Sequence, residues 1–142
     1  MTQENLEYCK HVRNELEQYY NGEVYKCPVC GEIIHIEDIN KLNESNLGII
    51  LPCGCEVDDV ENIEQLSLYD YFNDVFDIIY YIGSDKEVRG VRLMIACGGP
   101  NVFVDTFRKM VELYWWTETA AVDLLGELCE EITEQFAQVY VC

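Results

Sequence analysis

The sequence predicts an α+β fold, in which a three-stranded antiparallel sheet is packed with helices and is preceded by a small module that carries four cysteines. Three observations support this prediction: helical spacing of apolar residues near both ends of the chain, strand-like alternation between 88 and 116, and two close cysteine pairs. We expect 1–56 to form an N-terminal helix and the cysteine module. Residues 57–142 should form an acidic α+β domain that packs with it as one compact unit.

The first half begins with a helix and continues with two short strands. Thr2 can cap the helix, and Asn21-Gly22 can end it. Its apolar stripe repeats at steps of three and four and consists of Leu6, Cys9, Val12, Leu16 and Tyr19. Short apolar runs at 33–36 and 47–51 predict strands, with a loop at 40–46.

The second half begins with an acidic connector at 56–66, after which Ser67 can cap a helix that we expect to extend to about Ile82. The apolar residues that predict this helix are Leu68, Phe72, Val75, Ile79 and Ile82. Three strands are expected at 88–97, 102–105 and 111–116. A final helix over 121–140 follows from the helical spacing of Leu125, Leu128, Ile132, Phe136 and Val139.

Two cysteine pairs, Cys27/Cys30 and Cys53/Cys55, predict a metal site. Two residues separate the first pair and one separates the second, so each pair can direct two sulfurs at one ion. Four thiolates complete a tetrahedral shell, whereas a catalytic zinc keeps an open position. The sequence therefore predicts one structural Zn²⁺ per chain, with these four cysteines as its ligands.

Two alternatives to this ligand set stay open. Cys27 and Cys30 have the spacing of a redox-active pair, although no βαβ context surrounds them and the second pair would then be unexplained. His35 can replace one cysteine as a ligand, but its position between Ile34 and Ile36 favours a half-buried or exposed strand residue.

The charge balance limits the classes of partner that the protein can bind. The chain has 27 acidic and 9 basic residues and a net charge of −18, which disfavours direct binding to nucleic acid phosphates and favours a basic protein surface as partner. With two histidines and no nucleophile elbow or phosphate-binding loop, a non-enzyme is expected. No long apolar run or signal peptide is present, so we expect a cytoplasmic protein without a membrane partner.

Two surface features are candidates for partner binding. On the expected helix over 67–82, Asp70, Asp74 and Asp77 would share one acidic stripe. Alternation in the last strand would leave one of Trp115 and Trp116 outside as an interface anchor and send the other into the core.

In size, acidity and its four-cysteine site, the chain resembles small anti-CRISPR proteins of phages and mobile elements, in particular a zinc-containing inhibitor of the type II-A CRISPR effector nuclease. The segments Ala96–Thr106 and Val111–Trp116 resemble uncharacterised small proteins of Firmicutes and their phages. The first resemblance implies a protein in the bacterial host cell that binds the recognition lobe of the nuclease and blocks loading of target DNA.

That effector holds its guide–target duplex in a positively charged channel, so acidic residues are the expected contacts. The hypothesis assigns partner binding to Asp58, Asp59, Glu61, Glu64, Asp70, Asp74 and Asp77. A competing hypothesis is a zinc-ribbon adaptor that binds another protein through Trp115 or Trp116 and the sheet. A thiol redox protein is a third possibility.

Overall fold

The computed structural model describes residues 3–38, 49–57 and 63–140. Its contacts divide the chain into two compact units. We call Gln18–Ser67 the cysteine unit, and Met1–Glu17 together with Leu68–Cys142 the sheet unit. The first seventeen residues thus belong with the second half of the chain.

The first helix, α1, spans Gln3–Tyr20. Cys9, Val12 and Leu16 are its buried residues, which confirms the centre of the predicted apolar stripe. The helix ends as expected before Gly22, which has a φ of 73° and whose N–H donates to the carbonyl of Tyr19 at 3.2 Å. Thr2, the expected cap, lies outside the described residues.

Among its described residues, the cysteine unit contains five short strands. They are β1 (Val24–Lys26), β2 (Ile33–His35), β3 (Ile49–Ile50), β4 (Glu56–Val57) and β5 (Glu64–Gln65). One antiparallel sheet has the order β2-β1-β5, and β3 pairs antiparallel with β4. The strands predicted at 33–36 and 47–51 are therefore present, with shorter bounds, while the loop predicted at 40–46 lies outside the described residues.

The sheet unit is built on a five-stranded antiparallel meander. Its strands, in the order β10-β9-β8-β7-β6, are β6 (Asp77–Ile82), β7 (Val88–Ala96), β8 (Asn101–Asp105), β9 (Met110–Trp115) and β10 (Glu118–Asp123). The three strands expected from the sequence are β7, β8 and β9. The fold is mixed α/β as predicted, but this sheet has two more strands than the sequence indicated.

The helix predicted over 67–82 is wrong. A helix of one turn, α2, covers Leu68–Tyr71, and the chain then turns into β6, which pairs with β7. The run Ile78-Ile79-Tyr80-Tyr81-Ile82 consists of β-branched and aromatic residues, which fit the surface of a sheet better than a helix. Pairing with a neighbouring strand prevailed over the helical spacing of the apolar residues.

The last helix, α3, spans Gly126–Val139, so the start predicted at residue 121 is also wrong. Residues before it form β10, in which buried Ala120 alternates with exposed Thr119 and Ala121. The buried residues of α3 are Leu128, Cys129, Ile132 and Phe136. Of the predicted apolar face, Leu125 and Val139 are exposed. The helix packs against β7, where Val91 and Leu93 have no exposed surface.

In the part of the chain that is described, no helix combines the length and the apolar character that crossing a membrane requires.

Candidate metal centre

The first cysteine pair lies in a tight turn between β1 and β2. Cys27 directly follows β1, and the N–H of Gly31 donates to the Cys27 carbonyl at 3.0 Å. Gly31 has a φ of 81°, a conformation that glycine adopts without strain. The turn also directs the backbone N–H of Cys30 towards the Cys27 sulfur, at 3.5 Å. Backbone amides directed at a thiolate are typical of zinc-binding turns.

The second pair lies in the turn between β3 and β4. The N–H of Leu51 donates to the Cys55 carbonyl and the N–H of Gly54 donates to the Leu51 carbonyl, both at 2.8 Å. Gly54, with a φ of 92°, stands between the two cysteines and allows the sharp bend. The one-residue spacing of this pair is thus accommodated by a hydrogen-bonded turn.

The two turns bring the four sulfurs together. All four Sγ atoms lie within 4.8 Å of one another, so Cys27, Cys30, Cys53 and Cys55 could hold one metal ion. A tetrahedral zinc with Zn–S bonds of about 2.3 Å requires sulfur–sulfur separations of about 3.8 Å, which this arrangement can supply with small adjustments. An all-sulfur tetrahedral site suits zinc or iron, so the donor set fits the predicted metal.

The environment of the sulfurs favours a cation. The backbone N–H of Cys30 lowers the pKa of Cys27 to about 6. The neighbouring sulfurs of Cys30 and Cys53 raise the pKa of Cys55 to about 12, because several negative charges cannot share so small a space unaided. A divalent cation would offset the repulsion between the thiolates, since thiols lose their protons when they coordinate a metal.

His35 is not one of the clustered ligands. It pairs with Val24 across the β1–β2 ladder and is half-buried, as the sequence suggested. Its Nδ1 atom is buried and has no hydrogen-bond partner among the described residues. The alternative in which His35 replaces a cysteine is therefore not needed to complete the site.

The acidic residues proposed to bind a partner do not form one helical stripe. Asp70 lies in α2, Asp74 in the turn after it, and Asp77 at the start of β6, and all three are exposed. The Asp77 carboxylate accepts a hydrogen bond from the backbone N–H of Ile78 at 3.0 Å. Glu64 is exposed in β5, whereas Asp58, Asp59 and Glu61 lie outside the described residues.

The sequence reasoning missed a buried ion cluster on the face of the large sheet that carries the side chain of Arg92. The Nη1 atom of Arg92 contacts the carboxylates of Asp105 at 3.1 Å and Glu112 at 2.9 Å. Asp105 is fully buried and Glu112 is 3% exposed. Arg92 stands between buried Val91 and Leu93 in β7, which is the ordinary alternation of a strand, so the local sequence around it does not indicate an ion cluster.

Aromatic groups complete the cluster. The Tyr81 hydroxyl donates to Asp105 at 2.6 Å, the Tyr114 hydroxyl donates to Glu112, and the Arg92 guanidinium lies 4.1 Å from the centre of the Phe103 ring. Burial alone would lower the pKa of Arg92, but its contacts with Tyr114 and the two carboxylates raise it above its ordinary value. The arginine thus stays charged and neutralises its partners, which indicates a structural role.

Comparison with known proteins identifies no relative: no family model, no curated protein and no solved structure matches this chain.

Proposed function

We propose that this chain is a non-catalytic zinc protein, in which one structural Zn²⁺ holds the cysteine unit together and an acidic surface binds a basic protein partner. The observation that carries the proposal is the approach of all four cysteine sulfurs to within 4.8 Å of one another. Four thiolates would fill the coordination shell and leave no position for a substrate or an activated water.

A metal would supply what the cysteine unit lacks in apolar core. Its buried cluster consists of Cys27, Ile34, Leu51, Val57 and Ile63, so one of the metal ligands is itself a core residue. Cys53 and Cys55 pack against this cluster. Small units of this kind commonly depend on a metal or disulfides, and the free energy of binding the metal becomes free energy of folding.

The charge of the chain supports the choice of partner. A net charge of −18 repels phosphates, and it attracts a basic surface with an association rate that falls as salt rises. Binding without catalysis is also consistent with the ion cluster at Arg92, where each carboxylate is already paired.

Metal analysis tests the zinc part of the proposal. Protein purified under reducing conditions should contain one zinc per chain, and Cys53→Ser should lose it. Cys97→Ser is the matched control, because Cys97 is an exposed cysteine outside the cluster. Iron in place of zinc, or equal zinc content in both variants, would contradict the proposal.

The resemblance to anti-CRISPR proteins supplies one specific basic partner to test. Zinc-loaded protein is offered to a type II-A effector–guide complex at low and high salt, and binding of target DNA is measured in parallel. Salt-sensitive capture with loss of DNA binding is the result expected of an inhibitor. Absence of capture would reject this partner and leave the adaptor hypothesis, in which the partner binds through the sheet and its tryptophans.

A further inference from the structure

We infer that the tip of the β9–β10 hairpin, Trp115–Thr117, is the contact site for an arginine- or lysine-bearing segment of a partner protein. This inference rests on the proposed function, because it takes the partner to be a basic protein. The hairpin tip would anchor the partner at one place, which the scattered acidic residues do not specify.

The backbone of the tip is unusual. Trp115 pairs with Glu118, so Trp116 and Thr117 form a two-residue turn between β9 and β10. Trp116 has a φ of 55°. Two-residue hairpin turns place glycine, asparagine or aspartate where φ is positive, and a bulky residue there is an outlier that costs stability. The turn itself therefore gives no reason for a tryptophan at this position, and strained residues of this kind cluster at functional sites.

The side chain of Trp116 is free to make contacts. It is 87% exposed, against 36% for Trp115. The two rings meet edge to face, with centroids 5.8 Å apart and an interplanar angle of 76°. On the β7–β8 turn, Gly99 approaches the Trp115 ring closely enough that a Cβ there would lie 3.9 Å from it. Trp115 thus packs against the second indole, most of which stays exposed.

Charge around the tip selects a cation. Glu118 lies opposite Trp115 in the β9–β10 register, and its carboxylate accepts a hydrogen bond from the Asn5 side chain at 3.1 Å. That bond places the start of α1 beside the hairpin, where Glu4 is exposed. An indole face near carboxylates favours a guanidinium or ammonium group through cation–π attraction and the local field. The same field repels phosphate and adds nothing for a neutral sugar.

The test uses the full-length, zinc-loaded protein and fluorescently labelled hexa-arginine, with hexa-glutamate as the reversed-charge probe and maltohexaose as the neutral one. Calorimetry measures binding at low and moderate salt, and the indole N–H resonances report which tryptophan is contacted. Trp116→Ala should weaken hexa-arginine binding by about fivefold or more, the range expected for a cation–π contact. Phe107→Ala is the matched control, because Phe107 is a 56% exposed aromatic in the β8–β9 turn.

The outcomes separate this inference from the proposed function. If hexa-arginine binds the wild type and Trp116→Ala binds it equally well, or if Phe107→Ala loses as much, the hairpin tip is not the site although the partner is still basic. Preferred binding of hexa-glutamate or maltohexaose, or no binding of hexa-arginine to the wild type, overturns both. The zinc content of each variant reports separately on the metal centre.

Thermal stability provides a second test of the hairpin tip. Trp116→Gly removes the side chain that the backbone disfavours, so the midpoint of unfolding of the sheet unit should rise by about 4 °C while hexa-arginine binding falls. A lower midpoint would show that the indole stabilises the turn and would overturn the inference.

Discussion

The two units of this protein differ in how much apolar surface their strands bury. The sheet unit pairs strands of five to nine residues and covers Val91, Leu93, Val102 and Val104 completely. The cysteine unit has strands of two or three residues, and its buried cluster includes Cys27, one of the four clustered cysteines. Short strands supply few ladder hydrogen bonds and little buried area, which is why we propose that a metal ion stabilises this unit.

The units also treat buried charge differently. In the sheet unit, the carboxylates of Asp105 and Glu112 are neutralised by Arg92 from within the chain. In the cysteine unit, four sulfurs lie within 4.8 Å of one another, and under the proposed function a bound metal supplies the neutralising charge. The comparison therefore predicts that each unit fails under a different perturbation.

Removal of the metal should have the largest effect. A chelator under reducing conditions should unfold the cysteine unit, because a four-cysteine zinc site contributes on the order of 10 kcal/mol to folding. Amide resonances of β1 and β2 should collapse while those of β7, β8 and β9 persist. Simultaneous loss of both sets of resonances would show that the units fold as one and would remove the contrast.

Loss of Arg92 should have the next largest effect and should fall on the sheet unit. Arg92→Leu leaves two buried carboxylates without their cation, which should lower the free energy of unfolding by about 3–5 kcal/mol. Urea denaturation measures the change, and zinc content should stay constant. Arg108→Leu is the control, because the Arg108 side chain is 59% exposed and 3.8 Å from Glu112. Equal effects of the two variants would argue against an internal neutralising role for Arg92.

Substitution of two glycines, one in each unit, should have the smallest effect, and the two sites are closely matched in backbone conformation. Gly54 and Gly98 have φ values of 92° and 91°, and a Cβ at either position would meet nothing within 4 Å. Substitution by alanine should therefore cost backbone strain alone, about 1 kcal/mol at each site. Gly54→Ala should weaken zinc binding by about fivefold, and Gly98→Ala should lower only the stability of the sheet unit. Equal loss of zinc affinity in both variants would contradict the proposed dependence of the cysteine unit alone on the metal.

The metal site shows how far local sequence can be trusted. Cys27 and Cys30 are joined by a turn whose geometry depends on the intervening residues and on Gly31, so the pair was predictable from spacing. The second pair followed from the same reasoning, and the structure places all four sulfurs together. The acidic stripe failed because it depended on a helix that the tertiary structure does not form.

Features that depend on neighbours along the chain were predictable from local pattern: the stripe of α1 at Cys9, Val12 and Leu16, the strands β7 to β9, and the cysteine turns. Tertiary contacts settled that Asp77–Ile82 and Glu118–Asp123 become edge strands and that Arg92 meets two distant carboxylates. They also leave both indoles exposed, at 36% for Trp115 and 87% for Trp116, so the prediction that one enters the core is wrong. A short apolar run can fit both the helical and the strand pattern. Pairing with a neighbouring strand decides which one forms, and the local pattern carries no information about that pairing.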